Sequence, residues 1–225
     1  MNPRNAIAIA AVAVLLLVAP RAHAQEVNLA NLDAETANRV HFRTGAEYGL
    51  VAGAGYSRAV PLADRTVLFG ADLTMPWAVM DASDWRLRLS ALVPIAGAGR
   101  WKLATSIAPT LRATSNDAGR LTGAGMDVGA LAGYYAPRWF AAGELGFDWE
   151  IATYVAHSDL YRRTVFAGAR DGWYGAPGGN LRLGLQGGLS FSRFDLVLRA
   201  GKLRDIRGQG PALPLYATLA VDTRF

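Results

Sequence analysis

The last eleven residues constrain the fold of this chain most, because their side chains alternate strictly in character. Counting back from Phe225 in steps of two gives a mostly apolar set: Thr223, Val221, Leu219, Ala217 and Leu215. The positions between them form the second set: Arg224, Asp222, Ala220, Thr218 and Tyr216. Alternation with a period of two is typical of a β-strand with one apolar and one polar face.

The same alternation recurs through most of the chain. Nine segments show it: 47–56, 66–75, 85–93, 101–112, 126–134, 139–151, 181–191, 194–200 and 215–225. Most are close to the ~9–11 residues that a tilted transmembrane strand requires. Trp85, Trp101 and Trp139 begin three of them, where an aromatic girdle would lie at a lipid–water boundary.

The start of the chain has the layout of a secretory signal peptide. Arg4 precedes the small and apolar run 6–19, and Ala22-His23-Ala24 fits a cleavage site. We therefore expect residues 1–24 to be a signal peptide for Sec export, cleaved after Ala24. The chain has no cysteine, which excludes a lipoprotein attachment site and a disulfide framework.

The leader, the alternating segments of 40–225 and the terminal Phe225 together resemble bacterial outer-membrane β-barrel proteins, without pointing to one subfamily. The remaining chain has no apolar run near the ~18 residues of a spanning helix. The resemblance implies an all-β, antiparallel up-and-down transmembrane barrel in the outer membrane of a Gram-negative cell. It also implies that Phe225 is an assembly signal, read by the barrel-assembly machinery through the C-terminal strand. A soluble sandwich or lipocalin-like barrel alternates too, but the leader and the terminal Phe favour the membrane barrel.

Nine strands is an odd number, whereas bacterial single-chain barrels have an even one. A weak strand within 27–40 would make ten, or that segment could thread the lumen instead. A hidden strand at 161–169 would also give ten, and one wrong assignment would give eight. We expect ten strands, with eight as the alternative. Residues 25–39 are accordingly a periplasmic lead-in or a first weak strand, and 40–225 form the barrel.

The lengths of the connections assign the two ends of the barrel. Short connections are expected at 59–65, 94–100, 136–138 and 192–193, and longer ones at 76–84, 113–121, 154–180 and 203–214. Outer-membrane barrels have short periplasmic turns and long outer loops. The chain therefore ends on a strand that runs down into the periplasm.

Acidic and basic residues nearly balance on the inward faces of the predicted strands. The acids are Glu47, Asp72, Asp127, Glu144, Asp148, Glu150, Asp195 and Asp222. The bases are Arg86, Arg88, Lys102, Arg112, Arg182, Arg199 and Arg224. We predict a lumen charge network centred on Arg86, Arg88, Lys102, Asp127, Glu144, Asp148, Glu150, Arg182 and Arg199. It would either fill a narrow barrel or form a polar path for small solutes, with Arg86 and Arg88 facing Glu144, Asp148 and Glu150.

The predicted outer loop 154–180 carries the candidates for binding. Arg162, Arg163, Arg170, Trp173 and Tyr174 would suit an anionic and partly apolar partner such as lipopolysaccharide. His157 is the one candidate for a catalytic residue, next to Ser158 and Asp159. Adjacent residues rarely point at one another, and Ser158 or Asp159 would equally cap a helical turn.

Two main classes of function follow from these features. The first is a small porin-like channel or a structural barrel with a charge-filled lumen. The second is an outer-membrane enzyme acting on lipid or peptide through loop 154–180, and an adhesion barrel using the same loop is a further alternative. We predict no cofactor and no metal site. We also predict no nucleic-acid partner, since cleavage leaves 21 basic against 18 acidic residues, which is too small an excess of positive charge. Membrane lipids, lipopolysaccharide and small polar solutes are the expected partners.

Overall fold

The C-terminal strand closes the molecule by pairing with the first strand of the chain. The computed structural model describes residues 26–32, 37–47, 49–77, 83–206 and 214–225. The predicted signal peptide, residues 1–24, lies outside them. Ten antiparallel strands form a closed barrel in which every strand pairs with its neighbours in sequence, and the first also pairs with the last. This confirms the ten-stranded, up-and-down all-β architecture.

The strands differ twofold in length. They are β1 (Asn38–Ala46), β2 (Leu50–Leu62), β3 (Arg65–Pro76), β4 (Trp85–Ala98), β5 (Trp101–Asn116), β6 (Gly119–Ala136), β7 (Trp139–His157), β8 (Gly172–Ser190), β9 (Phe194–Asp205) and β10 (Leu215–Arg224). A short 3₁₀ turn, Leu29–Asn31, precedes them, and helix α1 (Asp159–Thr164) lies between β7 and β8. No helix in this described part of the chain is long and apolar enough to cross a membrane.

The strand missing from the sequence pattern is β1, which begins at Asn38 and runs to Ala46. It overlaps the expected weak strand 27–40 by three residues only. The hidden strand proposed at 161–169 is wrong, since helix α1 and the turn after it occupy those residues. The alternation of β1 was hidden because the polar side chains Arg39, His41 and Arg43 occupy its inward positions, and Phe42 is its one large outward side chain.

The connections separate the barrel into a short-turn end and a long-loop end. The short-turn end holds the links after β2, β4, β6 and β8, as expected, together with the start of β1 and Phe225. At the other end, the prediction of a long loop at 113–121 is wrong. β5 and β6 pair as far as Asn116 and Gly119 and leave a two-residue turn, because backbone pairing continues through polar residues.

The outward face is apolar and the inward face is charged. Along β10 exposed and buried residues alternate without a break, and the buried set includes Asp222 and Arg224. The largest fully buried side chains of the described residues include Arg39, Arg88 and Arg199, whereas many leucines and tryptophans are exposed. A soluble barrel would bury the apolar set instead, so this distribution is that of a membrane barrel.

Aromatic side chains gather on the outer surface at the short-turn end. Trp101 and Trp139 begin β5 and β7 there, and Tyr134 of β6 lies between them, 5.7 Å and 5.2 Å from their ring centroids. Trp85 begins β4 at the opposite end. Aromatic groups at both ends of the strands fit the girdles that flank the apolar band of membrane barrels.

Candidate functional site in the barrel lumen

A continuous chain of ion pairs crosses the lumen. We call it the inner network: Glu26, His41, Arg43, Glu47, Asp72, Arg88, Asp127, Glu144, Arg182 and Arg199. Its members come from seven strands and two chain segments outside the barrel wall. The members on strands point inward because a strand places alternate residues on the same face.

Three carboxylates of the inner network, those of Glu26, Asp127 and Glu144, each receive two arginines. Asp127 accepts from Arg88 at 3.1 Å and from Arg182 at 3.0 Å. Glu144 accepts from Arg182 and Arg199, each at 2.5 Å. Charges buried this deeply are tolerated when each has partners, because desolvation of an unpaired ion costs several kcal/mol.

A second, smaller cluster lies at the short-turn end, where the chain closes. Arg39 contacts Asp195 at 3.3 Å and Asp222 at 3.1 Å, and Arg224 contacts Asp195 at 3.5 Å. These residues link β1, β9 and β10. The first and last strands are thus tied through side chains as well as through their backbone ladder.

Residues 26–32, here called the inner segment, lie inside the barrel rather than in its wall. Val27 and Leu29 pack into an apolar cluster that includes Leu68, Leu92 and Phe140. The Asn28 amide donates to the carbonyl of Ala136 at 2.7 Å and to Ser190 Oγ at 2.8 Å. Asn31 donates to the Pro137 carbonyl at 3.0 Å, which places this segment at the short-turn end.

Glu26 connects the inner segment to the inner network. Its carboxylate lies 3.1 Å from Arg199 and 3.8 Å from Arg43, and Thr218 donates to it at 3.3 Å. Arg43 in turn contacts Asp72 at 2.7 Å and Glu47 at 3.3 Å. The two halves of the inner network therefore meet at Glu26.

The nine residues predicted for the lumen fall into three groups. Arg88, Asp127, Glu144, Arg182 and Arg199 belong to the inner network. Arg86 and Asp148 contact each other at 2.9 Å, nearer the long-loop end. Lys102 and Glu150 have no ion-pair partner among the described residues, and Glu150 accepts from Thr153 at 2.6 Å. Whether these charges carry solutes or fill the barrel stays a prediction.

The sequence interpretation missed four members of these clusters: Glu26, Arg39, His41 and Arg43. Glu26 stands in a segment without periodicity, so no pattern could place it. The other three occupy every second position from residue 39, and that spacing was the available signal. Few apolar residues accompany these polar side chains, so the segment has the composition of a polar lead-in.

A cup opens from the lumen toward the long-loop end, beyond the inner network. Its volume is about 320 Å³, and its lining includes Arg86, Arg112, Asp148, Glu150 and Asp205. A smaller void of about 10 Å³, no larger than one water molecule, lies among Arg86, Arg88 and Arg182.

The predicted outer loop is shorter than 154–180, because β7 runs to His157 and β8 begins at Gly172. Trp173 and Tyr174 consequently lie on β8 and not in the loop. Arg163 and Arg170 are exposed, and neither has an ion-pair partner among the described residues. Binding of lipopolysaccharide by these five residues stays a prediction.

The loop is ordered around one carboxylate. Asp171 accepts from the backbone N–H of His157 at 2.8 Å and from Arg162 at 2.6 Å. These contacts, the backbone hydrogen bond first, lower the pKa of Asp171 below the usual aspartate range. Ser158 is the N-cap of α1, accepting from the Tyr161 amide at 3.0 Å, so the structural role considered for it is observed. The carboxylate beside His157 is Asp171 rather than the adjacent Asp159.

Comparison with solved structures gives the fold. An outer-membrane channel from Pseudomonas putida F1 matches with a TM-score of 0.50 at 13% identity, over 84% of this chain and 94% of the channel. The β-domain of the Bordetella autotransporter Brka matches with a TM-score of 0.42 at 12% identity, over 84% of this chain and 98% of that domain. No protein-family model matches the sequence, and no curated protein does. The chain thus shares the barrel fold of outer-membrane proteins.

Proposed function

We propose that this protein is an outer-membrane channel for small polar solutes, closed at rest by its own N-terminal residues. Three observations support the proposal: the apolar outward face, the charged lumen side chains and the likeness of fold to an outer-membrane channel. After export and removal of 1–24, the short-turn end would face the periplasm. The inner segment would then close the lumen from the periplasmic side.

The observation that carries the proposal is the position of the inner segment. Val27 and Asn28 are fully buried inside the barrel, yet they belong to no strand. The hydrogen-bonded ladder is complete without them, because β1 pairs with both β2 and β10. The segment can therefore leave the lumen without breaking any strand pairing.

Departure of the inner segment would change the electrostatics of the lumen. Arg43 and Arg199 would lose the carboxylate of Glu26, while keeping Asp72, Glu47 and Glu144. The opened path would be lined with paired charges of both signs. Such a lining selects solutes by size and charge, as in other narrow pores.

Planar-bilayer conductance of the refolded chain without 1–24 tests this proposal. The variant Glu26→Gln/Asn28→Ala removes the contacts with Arg43 and Arg199 and both amide bonds of Asn28. We expect the wild type to stay near baseline and the variant to show stepwise, salt-dependent conductance. Each lost hydrogen bond to a buried group weakens the docked segment by ~1–3 kcal/mol, so a measurable open fraction follows.

Asn31→Ala is the matched control, because Asn31 lies in the same segment and its amide donates once, at an exposed position. This variant should conduct like the wild type. A wild type that is already open, or a double variant as closed as the wild type, would contradict closure by the inner segment. Heat-modifiable migration in gels verifies that all three proteins are folded barrels.

A further inference from the structure

The cup at the long-loop end has a basic wall and an acidic wall. Arg86 of β4 and Arg112 of β5 lie directly opposite each other in the sheet. Asp148 and Glu150 of β7 and Asp205 of β9 line the cup with them. Like charges directly opposite on adjacent strands are unfavourable unless an anion accompanies them, so the basic wall is a place for negative charge.

Within the cup, one base and one acid are left without an ion-pair partner. Asp148 accepts from Arg86 at 2.9 Å. Arg112, by contrast, has no ion pair in the part of the chain that the structure describes, and Glu150 has only the Thr153 hydroxyl, at 2.6 Å. The Glu150 carboxylate lies over Gly123, where an added Cβ would meet its Oε1 at 2.5 Å. Gly123 is the residue opposite Arg112 on β6, so the Glu150 carboxylate lies over the cross-strand neighbour of Arg112.

The backbone around these charges is arranged to leave room. Gly123, Gly125, Gly178 and Gly179 all line the cup. The register shifts between Ala124 and Gly125 and again between Glu150 and Ala152, so both flanks of β7 are irregular here. Irregular pairing of this kind re-aims side chains and is frequent beside binding sites. The volume of about 320 Å³ falls at the lower end of the ~300–1,000 Å³ range of small-molecule pockets.

We infer that the cup binds a small zwitterion of the amino-acid class. The ligand carboxylate lies against the guanidinium of Arg112, which can donate two parallel hydrogen bonds to it. The ligand ammonium lies against the carboxylate of Glu150. A simple anion would leave the charge of Glu150 without a partner, and a simple cation would leave the charge of Arg112 without one. A zwitterion pairs with both and is therefore the preferred ligand. The inference deepens the proposed function by naming its solute class, but binding at the open cup needs no conducting lumen.

Saturation-transfer NMR on the refolded full barrel in detergent micelles tests this inference, with L-alanine as the probe. Acetate and methylammonium carry one charge of the zwitterion each and serve as half-ligands. We expect saturable binding of L-alanine and at least ~10-fold weaker binding of either half-ligand. Arg112→Gln and Glu150→Gln should each weaken L-alanine binding by ~10-fold or more, as for loss of a hydrogen bond between charged groups.

Arg112→Lys and Arg120→Gln sharpen the test. The lysine variant keeps the charge but loses the planar donor pair, so its affinity should lie between those of the wild type and Arg112→Gln. Arg120 is an exposed arginine of β6 that does not line the cup, and its substitution should leave binding unchanged. Folding of each variant is verified by its unfolding midpoint in urea.

The inference would be overturned if acetate or methylammonium bound as tightly as L-alanine, or if both glutamine variants bound like the wild type. Absence of saturable L-alanine binding to the folded wild type would do the same. The channel proposal is tested by a different outcome. If L-alanine binds while Glu26→Gln/Asn28→Ala stays closed in bilayers, the cup stands and closure by the inner segment does not.

Discussion

The two halves of the lumen are built by the same strands, yet they differ in how their charges are paired. On β7, Glu144 lies in the inner network and receives Arg182 and Arg199. Glu150, three inward positions further along the same strand, has only the hydroxyl of Thr153. Alternation alone places both carboxylates inside, so it cannot distinguish a buried structural charge from one that faces a cavity. The neighbours on adjacent strands decide between these roles.

Glycine shows the same difference between the halves. Gly184 of β8 lies beneath the phenol of Tyr216, and an added Cβ would contact its Oη. Gly123 of β6 lies beneath the movable carboxylate of Glu150. Gly184 thus makes room for a large ring, whereas Gly123 makes room for the movable end of a charged side chain.

The largest difference in stability between the two halves is expected when two aspartates are substituted, Asp127 on β6 and Asp148 on β7, which lie directly opposite each other. Asp127→Asn removes the fully buried carboxylate shared by Arg88 and Arg182, and should lower the free energy of unfolding by ~3–5 kcal/mol. Asp148→Asn removes a carboxylate that contacts Arg86 at the edge of the cup. It should cost less, ~1–2 kcal/mol, because the pair is 13% and 16% exposed and water from the cup can solvate the unpaired Arg86.

Urea unfolding of both variants in lipid vesicles, followed by tryptophan fluorescence, gives these values. The two substitutions are chemically identical and their backbones are neighbours, so each is the control for the other. Equal losses of stability would show that the two halves of the lumen do not differ in solvation. The distinction between the inner network and the cup would then be wrong.

A smaller difference in stability is expected when Gly184 and Gly123 are each replaced by alanine. Gly184→Ala places a methyl group against Tyr216 and 2.5 Å from the Ala200 carbonyl oxygen, and overpacking of this kind costs ~1–3 kcal/mol. Gly123→Ala meets only the end of a flexible side chain, and should change stability by no more than ~0.5 kcal/mol. The same urea titration measures both. A larger loss for Gly123→Ala than for Gly184→Ala would contradict the account of the cup as unfilled space.

The sequence predicted the barrel wall well, because lipid imposes a period of two on every strand. The β10 pattern matches the structure at each position, and Trp101 and Trp139 begin strands as expected. The number of strands followed from the requirement that the barrel be even and closed. The position of β1 could not be predicted in this way, since Phe42 is its one large outward residue and the charges of Arg39 and Arg43 dominate its composition.

The inner segment could not be predicted in its detail, because its contacts join residues far apart in sequence. Asn28 contacts Ala136 and Ser190, and Glu26 contacts Arg199, without any local pattern. Threading of the lumen by 27–40 is one of the alternatives above, and the structure places 26–32 inside the barrel. Pairing inside the lumen also depends on register across several strands. Of the expected pairs of Arg86 and Arg88 with the acids of β7, the pair of Arg86 with Asp148 is observed.

The smallest effect is expected outside the barrel wall, where one carboxylate orders the outer loop. Because the folded loop lowers the pKa of Asp171, the ionised form stabilises it, and this contribution is present above the usual aspartate pKa of ~3.9. It is lost as the pH falls below that value, when the carboxylate is protonated. Between about pH 5 and about pH 3, proteolysis of 158–171 by pepsin should therefore increase in the wild type. Asp171→Asn should be cleaved more readily at pH 5 and should respond less to acidification, because it has no carboxylate to titrate. Equal acid sensitivity in the two proteins would assign the effect to other groups, and the loop would then be held mainly by α1 and its Ser158 cap.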